Sequence, residues 1–478
     1  MKKKKIEKKK SKYTQNKTKK KMKSIFLVTA CSKNNVIGQD GAIPWSLPDE
    51  LKHFRKLTTM GETKNSIVMG RRTFDSLDRK VLPQRFNIVI TKDKIKYTQK
   101  DENLIFVSTL EEVFEEHEKR NLHHMFVIGG NDIYKLFLEK NLIEKIYFTH
   151  VKQTIEGGKL TYFPKGDFWL NFSIESVDQS HTEDYDIIVY KKMTNKQNKS
   201  CELQYNNLVQ TVLNKEDLSS FGNSMKFDLQ EGFPLLTGKR MYFKGIVEEL
   251  LWFLSGKTDS KILKEKGVNI WEKNSTREYL DSVGLKKNKE YDLGPVYGHN
   301  FRHYGAEYEN CDTDYNGKGV DQIQYVLNMI RTNPSSRRII INLWNPCQIN
   351  EVALPPCHVL YHFKVDETKK TLSCILYQRS GDVALGVPFN IASASLLTHI
   401  IAFLTDLKVG VLTHFIGDAH IYKEHREGMT QQLDRYLYPF PKLEIRKRNQ
   451  MKVEEFCFQD FNLQGYVSNT TLAFPLIV

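Results

Sequence analysis

From Ser24 to about Met193 the chain alternates short β-branched runs with helical stretches: "IFLVTA", "NSIVMG", "FNIVIT", "LIFVST", "MFVIGG", "KIYFTHV" and "YDIIVYKKM". Apolar runs of this length between polar turns read as buried strands, and strands that alternate with helices predict an α/β sheet. The polar, aperiodic "TNKQNKS", residues 194 to 200, marks a seam, and a linker is expected over 194–202. Beyond it, longer helical segments such as "YFKGIVEELLWFLSG" and "NIASASLLTHIIAFLTDL" mix with strands such as "RRIIINLW" and "LSCILYQRS". That texture predicts an α+β domain over 203–478. No internal repeat is found.

A length of 478 residues fits two or three domains, and 40% hydrophobic with 27% charged residues is an ordinary globular balance. The formal charge of +14 changes meaning once it is located. Residues 1 to 23 hold thirteen lysines against one glutamate, a net of +12, so the body is nearly neutral. This leader has no apolar periodicity and too little hydrophobic surface to offset ordering, so it reads as a disordered Lys-rich tail. A nucleic-acid-binding protein is disfavoured, because a basic tail alone lacks stacking aromatics or a basic groove. "SIFLVTAC" is too short for a signal h-region with a cleavage site and reads as the first strand. No run reaches the roughly 18 apolar residues that a spanning helix needs. Seven scattered cysteines without a CxxC pair argue against a disulfide framework and a zinc site, and fit a reduced, cytoplasmic chain. The tail leaves nuclear entry open.

Chemistry concentrates in a few stretches. In "VIGQDGAIPWSLPDELKHFRKLT", Pro48 opens a helix that sets Glu50 and Phe54 on one face, close after Trp45. A carboxylate among aromatics is a candidate acid with a raised pKa, although first-turn helix polarity also accounts for a Glu after a proline. "IVMGRRTFDSL" puts Gly70, Arg71, Arg72 and Thr73 between a strand and a helix, a setting that suits a phosphate-bearing ligand. "VIGGNDIY" places Gly129 and Gly130 at a second such junction, where missing Cβ atoms permit close backbone approach.

Residues 24 to 193 resemble dihydrofolate reductase over nearly their whole length, in "GAIPWSLPDEL", "VMGRRTF", "LPQRFNIVI", "VIGGNDIY" and "TYFP", in the family's order. The resemblance implies that Glu50 holds the pterin and assists protonation of its nitrogen 5, while a hydride passes from nicotinamide to carbon 6. Trp45 and Phe54 would line the pterin pocket and Thr149 would support Glu50. Arg85 would take the folate glutamate carboxylate with its bidentate fork. Gly70, Arg71, Arg72, Thr73, Gly129 and Gly130 would hold the dinucleotide, the paired arginines favouring NADPH. One departure is "EGGKLTYFP", which lacks the acidic residue usual shortly before the aromatic-Pro element.

In the second half, "ALPPCHVLYHF" sets Cys357 behind a proline pair. A buried core residue, a metal ligand and a nucleophile compete as readings. A nucleophilic thiol needs positive charge nearby, and arginines occur in "SSRRIII" and "LYQRSGD". "VEELLWFLSG", "YDLGPVYG", "TNPSSRRII", "ALPPCH", "LYQRSGDVALGVPFNIAS" and "GDAHIY" resemble thymidylate synthase over residues 203 to 478. The resemblance implies that Cys357 adds to carbon 6 of dUMP, after which carbon 5 accepts a methylene from 5,10-methylenetetrahydrofolate. The folate then returns a hydride and leaves as dihydrofolate. Glu249 would organise water and proton transfer, and Tyr297 would assist proton removal at carbon 5. Asn390 would read the uracil edge; Asp382 would bond the folate pterin, and Trp271 would line its site. His420 and Tyr422 would hold the ribose. Arg379 and Ser380 would bind the phosphate, Arg379 also activating the thiol, with Arg337 and Arg338 reaching across from a partner subunit. A homodimer through this half follows, and no metal is implied.

The family usually places an arginine-containing loop ahead of the strand "FGNSMKFDL", for one further phosphate contact. Here the chain reads "LVQTVLNKEDLSSFGNSMKFDL", with no arginine from Leu203 to Lys239. The order of the halves resembles the bifunctional dihydrofolate reductase-thymidylate synthases of protozoa and plants, in which one half restores the folate that the other oxidises. An alternative, motivated by the short loop, is an active reductase whose second half is mainly a dimerisation scaffold.

Overall fold

The computed structural model describes residues 24–93, 101–180, 183–193, 201–446 and 452–477. The Lys-rich tail and the seam at 194–200 lie outside the described residues. The chain divides into two compact units, one running to Phe168 with Glu175–Lys192, the other comprising Trp169–Ile174 and Met193 onward.

The first unit carries β1 (Ile25–Ser32), β2 (Val36–Gln39), β3 (Ser66–Gly70), β4 (Phe86–Ile90), β5 (Leu104–Val107), β6 (Met125–Gly129), β7 (Lys145–Val151), β8 (Leu160–Tyr162), the part of β9 (Phe172–Asp178) from Glu175 onward, and β10 (Tyr185–Lys192). Eight of them form one sheet in the order β5-β4-β3-β6-β1-β7-β10-β9. The strands from β5 across to β7 pair in parallel, and β10 runs antiparallel to β7. Parallel strands are covered on both faces and so read as unbroken apolar runs: Ile67, Val68 and Met69 on β3 are all fully buried. Each apolar run named above is a strand. The short β2 and β8 form their own two-stranded sheet and carry too few residues for a periodicity to show. The order of the sheet makes β3 and β6 neighbours, which sets the two glycine junctions side by side at their C-terminal ends.

The second unit is built on a five-stranded sheet, β11-β15-β14-β13-β12. Its strands are β11 (Ser219–Asp228), β12 (Ile340–Asn342), β13 (His358–Asp366), β14 (Thr371–Asp382) and β15 (Lys408–His420). A separate two-stranded ribbon joins β16 (Lys442–Ile445) to β17 (Phe461–Gln464). Helix Gly386–Leu404 packs on one face of the large sheet, where Cys374, Leu376, Leu412 and Ile416 are buried with Ile391, Ala394, Leu397 and Ile401 of the helix. This helix corrects the expectation that no segment is long and apolar enough to cross a membrane, since it passes by length and composition. Most of it is buried inside the unit, which explains its near-continuous hydrophobicity.

The expected linker also needs correction at its C-terminal end. Helix Cys201–Leu213 begins inside it, and Glu202 is fully buried. Its carboxylate accepts from the backbone N–H groups of Thr237 and Gly238 at 2.8 Å and from the Thr237 hydroxyl at 2.6 Å. Burial nevertheless pushes its pKa up to about 7. Residue 202 is therefore part of the second unit's interior.

Candidate active sites

In the first unit, helix Pro48–Thr59 carries Glu50 in its first turn. Its carboxylate is buried and accepts from the Thr149 hydroxyl, on β7, at 3.3 Å. Burial raises the Glu50 pKa, and the Thr149 bond offsets only part of that. Trp45 and Phe54 are half-buried on the same segment. Arg85 is buried, with its guanidinium 5.9 Å from the Phe54 ring centroid. It donates to the Thr58 hydroxyl at 2.8 Å and to the Pro83 carbonyl at 3.0 Å. A fixed guanidinium beside an aromatic ring suits a carboxylate held at the end of a flat ligand.

The dinucleotide candidates converge as well. Gly70 caps the short helix that opens with Arg71, and Gly130 caps helix Asn131–Glu139. A Cβ on Gly130 would lie 3.4 Å from the Thr73 hydroxyl, so the two turns touch. A Cβ on Gly129 would meet the Tyr134 ring at 3.1 Å, at a backbone φ of +118° that favours glycine. These close approaches form a cradle of backbone fit for a phosphate-bearing cofactor. The two arginines differ in a way their sequence does not show. Arg71 is paired with Asp75 at 2.9 Å, whereas Arg72 is exposed and its guanidinium meets no partner among the described residues. Tyr134, not singled out from the sequence, donates to the Val28 carbonyl at 2.8 Å and underlies the cradle.

In the second unit, Cys357 sits just before β13, between Arg379 and Tyr297. Arg379 donates from Nε to the Pro356 carbonyl at 2.9 Å and from Nη2 to the Pro355 carbonyl at 2.8 Å. The same Nη2 lies 3.8 Å from Cys357 Sγ. The proline pair thus presents two carbonyls that aim a guanidinium at the thiol. The Tyr297 hydroxyl accepts from the Cys357 N–H at 2.8 Å. Burial raises the Cys357 pKa, and the Arg379 charge offsets part of the rise. Burial also raises Tyr297 well above the usual phenol range, so it acts as a neutral hydroxyl.

Glu249 is held by the Trp271 indole N–H at 2.8 Å, and burial brings its pKa up to about 7, suited to giving and taking a proton near neutrality. Trp271 is thus tied directly to Glu249. Asn390 stands in the first turns of helix Gly386–Leu404, and its Oδ1 accepts from Gln378 at 2.9 Å. Gln378 in turn bonds His414 at 2.8 Å. These two, together with His358, whose Nδ1 lies 3.0 Å from the Tyr361 hydroxyl, were missed in the sequence. The only local signal was the adjacency of His358 to Cys357 and of Gln378 to Arg379. Asp382 accepts from Ala384 N–H at 2.9 Å and lies 3.5 Å from His425. His420 and Tyr422 pack edge to face at 5.2 Å, and Ser380 pairs with Asp418 across β14 and β15. Arg337 and Arg338 are exposed on the connection into β12, and neither guanidinium bonds any group of the Cys357 cluster.

The thymidylate synthase family matches residues 203–478 and the dihydrofolate reductase family residues 24–194. A bifunctional dihydrofolate reductase-thymidylate synthase of Paramecium tetraurelia is 38% identical, over 95% of this chain and 99% of its own. One from Zea mays is 38% identical over 92% of this chain and 94% of its own, and one from Plasmodium chabaudi 33% identical over the same shares. Both matches span whole halves, which favours two working enzymes over an active reductase on a scaffold. With both clusters assembled and the similarity running end to end, the chain belongs to the bifunctional dihydrofolate reductase-thymidylate synthase family.

Proposed function

We propose that the two clusters just described perform the family's two reactions, methylation of dUMP to dTMP with 5,10-methylenetetrahydrofolate and reduction of the released dihydrofolate with NADPH. The observation that carries this reading is the half-buried Cys357, whose thiol lies 3.8 Å from a guanidinium and whose backbone N–H is held by a tyrosyl hydroxyl. Cys357 attacks carbon 6 of dUMP, Tyr297 and Glu249 handle the proton lost from carbon 5, and Asn390, braced by Gln378, orients the base. In the reductase, NADPH supplies a hydride when bound. Glu50 fixes the ring that accepts it and favours a proton at nitrogen 5, and the cradle of Gly70, Thr73, Gly129 and Gly130 takes the cofactor phosphates. Because Cys357 must stay a free thiol, this reading takes the chain to work in a reducing, cytoplasmic compartment, with nuclear entry left open by the Lys-rich tail.

The freer guanidinium is the better candidate for the 2′-phosphate. Arg72→Ala is expected to weaken NADPH by about 10 to 100-fold while NADH changes little, and Arg71→Ala to do less, since Asp75 already holds it. Dissociation constants of both cofactors for both variants check this; equal loss for NADPH and NADH removes the assignment.

The second half is proposed to form a homodimer through the open face of its large sheet. Ile375 and Tyr377 on β14 and Phe415 on β15, directly across from Tyr377, are about 40% exposed on the face away from the core helix. Arg379 follows two residues after Tyr377, so strand alternation sets it on that same face. A partner docked there brings its own Arg337 and Arg338 within reach of the phosphate. Co-expression of Cys357→Ala with an Arg337→Ala/Arg338→Ala chain is then expected to restore dTMP formation to on the order of a quarter of wild type, one intact site in each mixed dimer. If the arginines serve their own subunit, nothing is restored.

The missing arginine loop is replaced by a closed turn. Helix Cys201–Leu213 passes into β11 through residues 214–218, with Leu218 N–H bonded to the Lys215 carbonyl and Ser219 N–H to Asp217. Lys215, Glu216 and Asp217 are all exposed. A family-like Arg-containing loop inserted between Asn214 and Phe221 is expected to lower the dUMP KM by about 10 to 100-fold with little change in kcat, because phosphate binding is remote from the reacting atoms. An unchanged KM shows that the short turn is already compensated.

A further inference from the structure

A pocket of about 420 Å³ opens in the second unit where the C-terminal half of helix Gly386–Leu404 meets the turn after β11, the start of β15 and strand β16. None of the residues lining it belongs to the Cys357 cluster. Phe233, Phe403, Leu407, Leu443 and Ile445 make its walls apolar, and its size falls within the usual range for small-molecule sites.

Its polar groups are few and of definite kind. His399 is kept neutral by burial, which lowers its pKa to about 4. Its Nδ1 lies 2.8 Å from the Ser395 carbonyl, an acceptor, so that nitrogen carries the proton. Nε2 is therefore a lone-pair acceptor, with no donor on the chain among the described residues, and it is not among the polar atoms sealed in the core. An imidazole acceptor left unmet in an apolar wall calls for a hydroxyl or N–H from outside. Lys408 is exposed, and its ammonium meets no partner among the described residues. Lys442 is a second cation on the lining, and no carboxylate lines the pocket. The charge is one-signed and positive, so it complements an anion.

We propose that this pocket is a second small-molecule site, separate from both active sites, for a small aromatic carboxylate bearing a hydroxyl group. The ring lies among Phe233, Phe403 and Leu407, the hydroxyl donates to His399 Nε2, and the carboxylate faces Lys408.

The probe is 3-(4-hydroxyphenyl)propanoate, titrated calorimetrically into the full chain with both active sites saturated by dUMP and NADPH. Saturable binding is expected with Kd on the order of 0.1 to 1 mM, as befits so small a ligand. Ala402→Trp, which fills the pocket, is expected to abolish it. His399→Phe, which keeps the ring and removes the acceptor, should weaken it about 3 to 10-fold, and Lys408→Glu by at least as much. Rates of dTMP formation and NADPH oxidation should stay at wild type in all three variants, which also shows them folded. Should Ala402→Trp fail to fold, Lys408→Glu decides, since it alters only an exposed side chain. Absence of saturable binding up to about 10 mM, or binding unchanged in the folded variants, overturns the proposal.

Discussion

Cys357→Ala is expected to abolish dTMP formation while NADPH oxidation by dihydrofolate continues at the wild-type rate. The synthase reaction needs a nucleophile at carbon 6 of the pyrimidine, since only after that bond forms does carbon 5 carry the electron density to take a methylene group. The other described cysteines are poorly placed to replace it: Cys31 is buried in the first unit and Cys374 in the sheet core, Cys311 is raised to about 12 by burial beside Asp292, and Cys347 and Cys457 make no hydrogen bond with Arg379 or Tyr297. The two reactions are read separately, the synthase as dTMP formed and the reductase as NADPH consumed with dihydrofolate supplied. A variant that kept a tenth or more of dTMP synthesis would falsify the assignment. The pH dependence carries a further expectation. Burial holds the Cys357 thiol above its ordinary range while Arg379 pulls it down, so removing that guanidinium raises it further. Arg379→Gln should therefore slow alkylation of Cys357 at neutral pH, with the rate recovering as pH rises.

Glu50→Gln is expected to do the reverse, with the reductase falling by about 10² to 10⁴-fold at pH 7 and the synthase unchanged. Glutamine keeps the size of the side chain and can still accept from Thr149, so the fold should be undisturbed. What it loses is a group that anchors the pterin as an anion and supplies or directs a proton. The sign of the pH effect follows from burial, which raises the Glu50 pKa and enlarges the protonated fraction at a given pH. That fraction falls as pH rises through the raised pKa, so the wild-type rate should decline with rising pH. The glutamine variant, having nothing to titrate there, should be low and flat. A reductase rate within about threefold of wild type at pH 7, or the same pH slope in both proteins, would remove Glu50 from the chemistry.

The amino-acid sequence by itself determined the elements and most of the chemistry, because those signals are local. A strand buried on both faces must be a continuous apolar run, so β1, β3, β4, β6 and β7 could be read directly. A glycine at a strand-to-helix junction, or a cysteine behind two prolines, carries its meaning within a few residues. What needed the tertiary structure was every question of which local pieces meet. The dinucleotide cradle exists because β3 and β6 are neighbours, although some 55 residues of chain separate them. Arg71 and Arg72 are equivalent on paper, yet the helix turn pairs the first with Asp75, four residues on, and leaves the second free. Glu202 looked like linker because its polarity is read residue by residue, whereas its burial depends on backbone N–H groups that arrive from Thr237 and Gly238. His414 carries no local mark at all, and Gln378 only its place beside Arg379. Their role appears only when β14 and β15 align and pass a hydrogen-bond chain to Asn390, for a side-chain network has no periodicity and is set by packing in three dimensions.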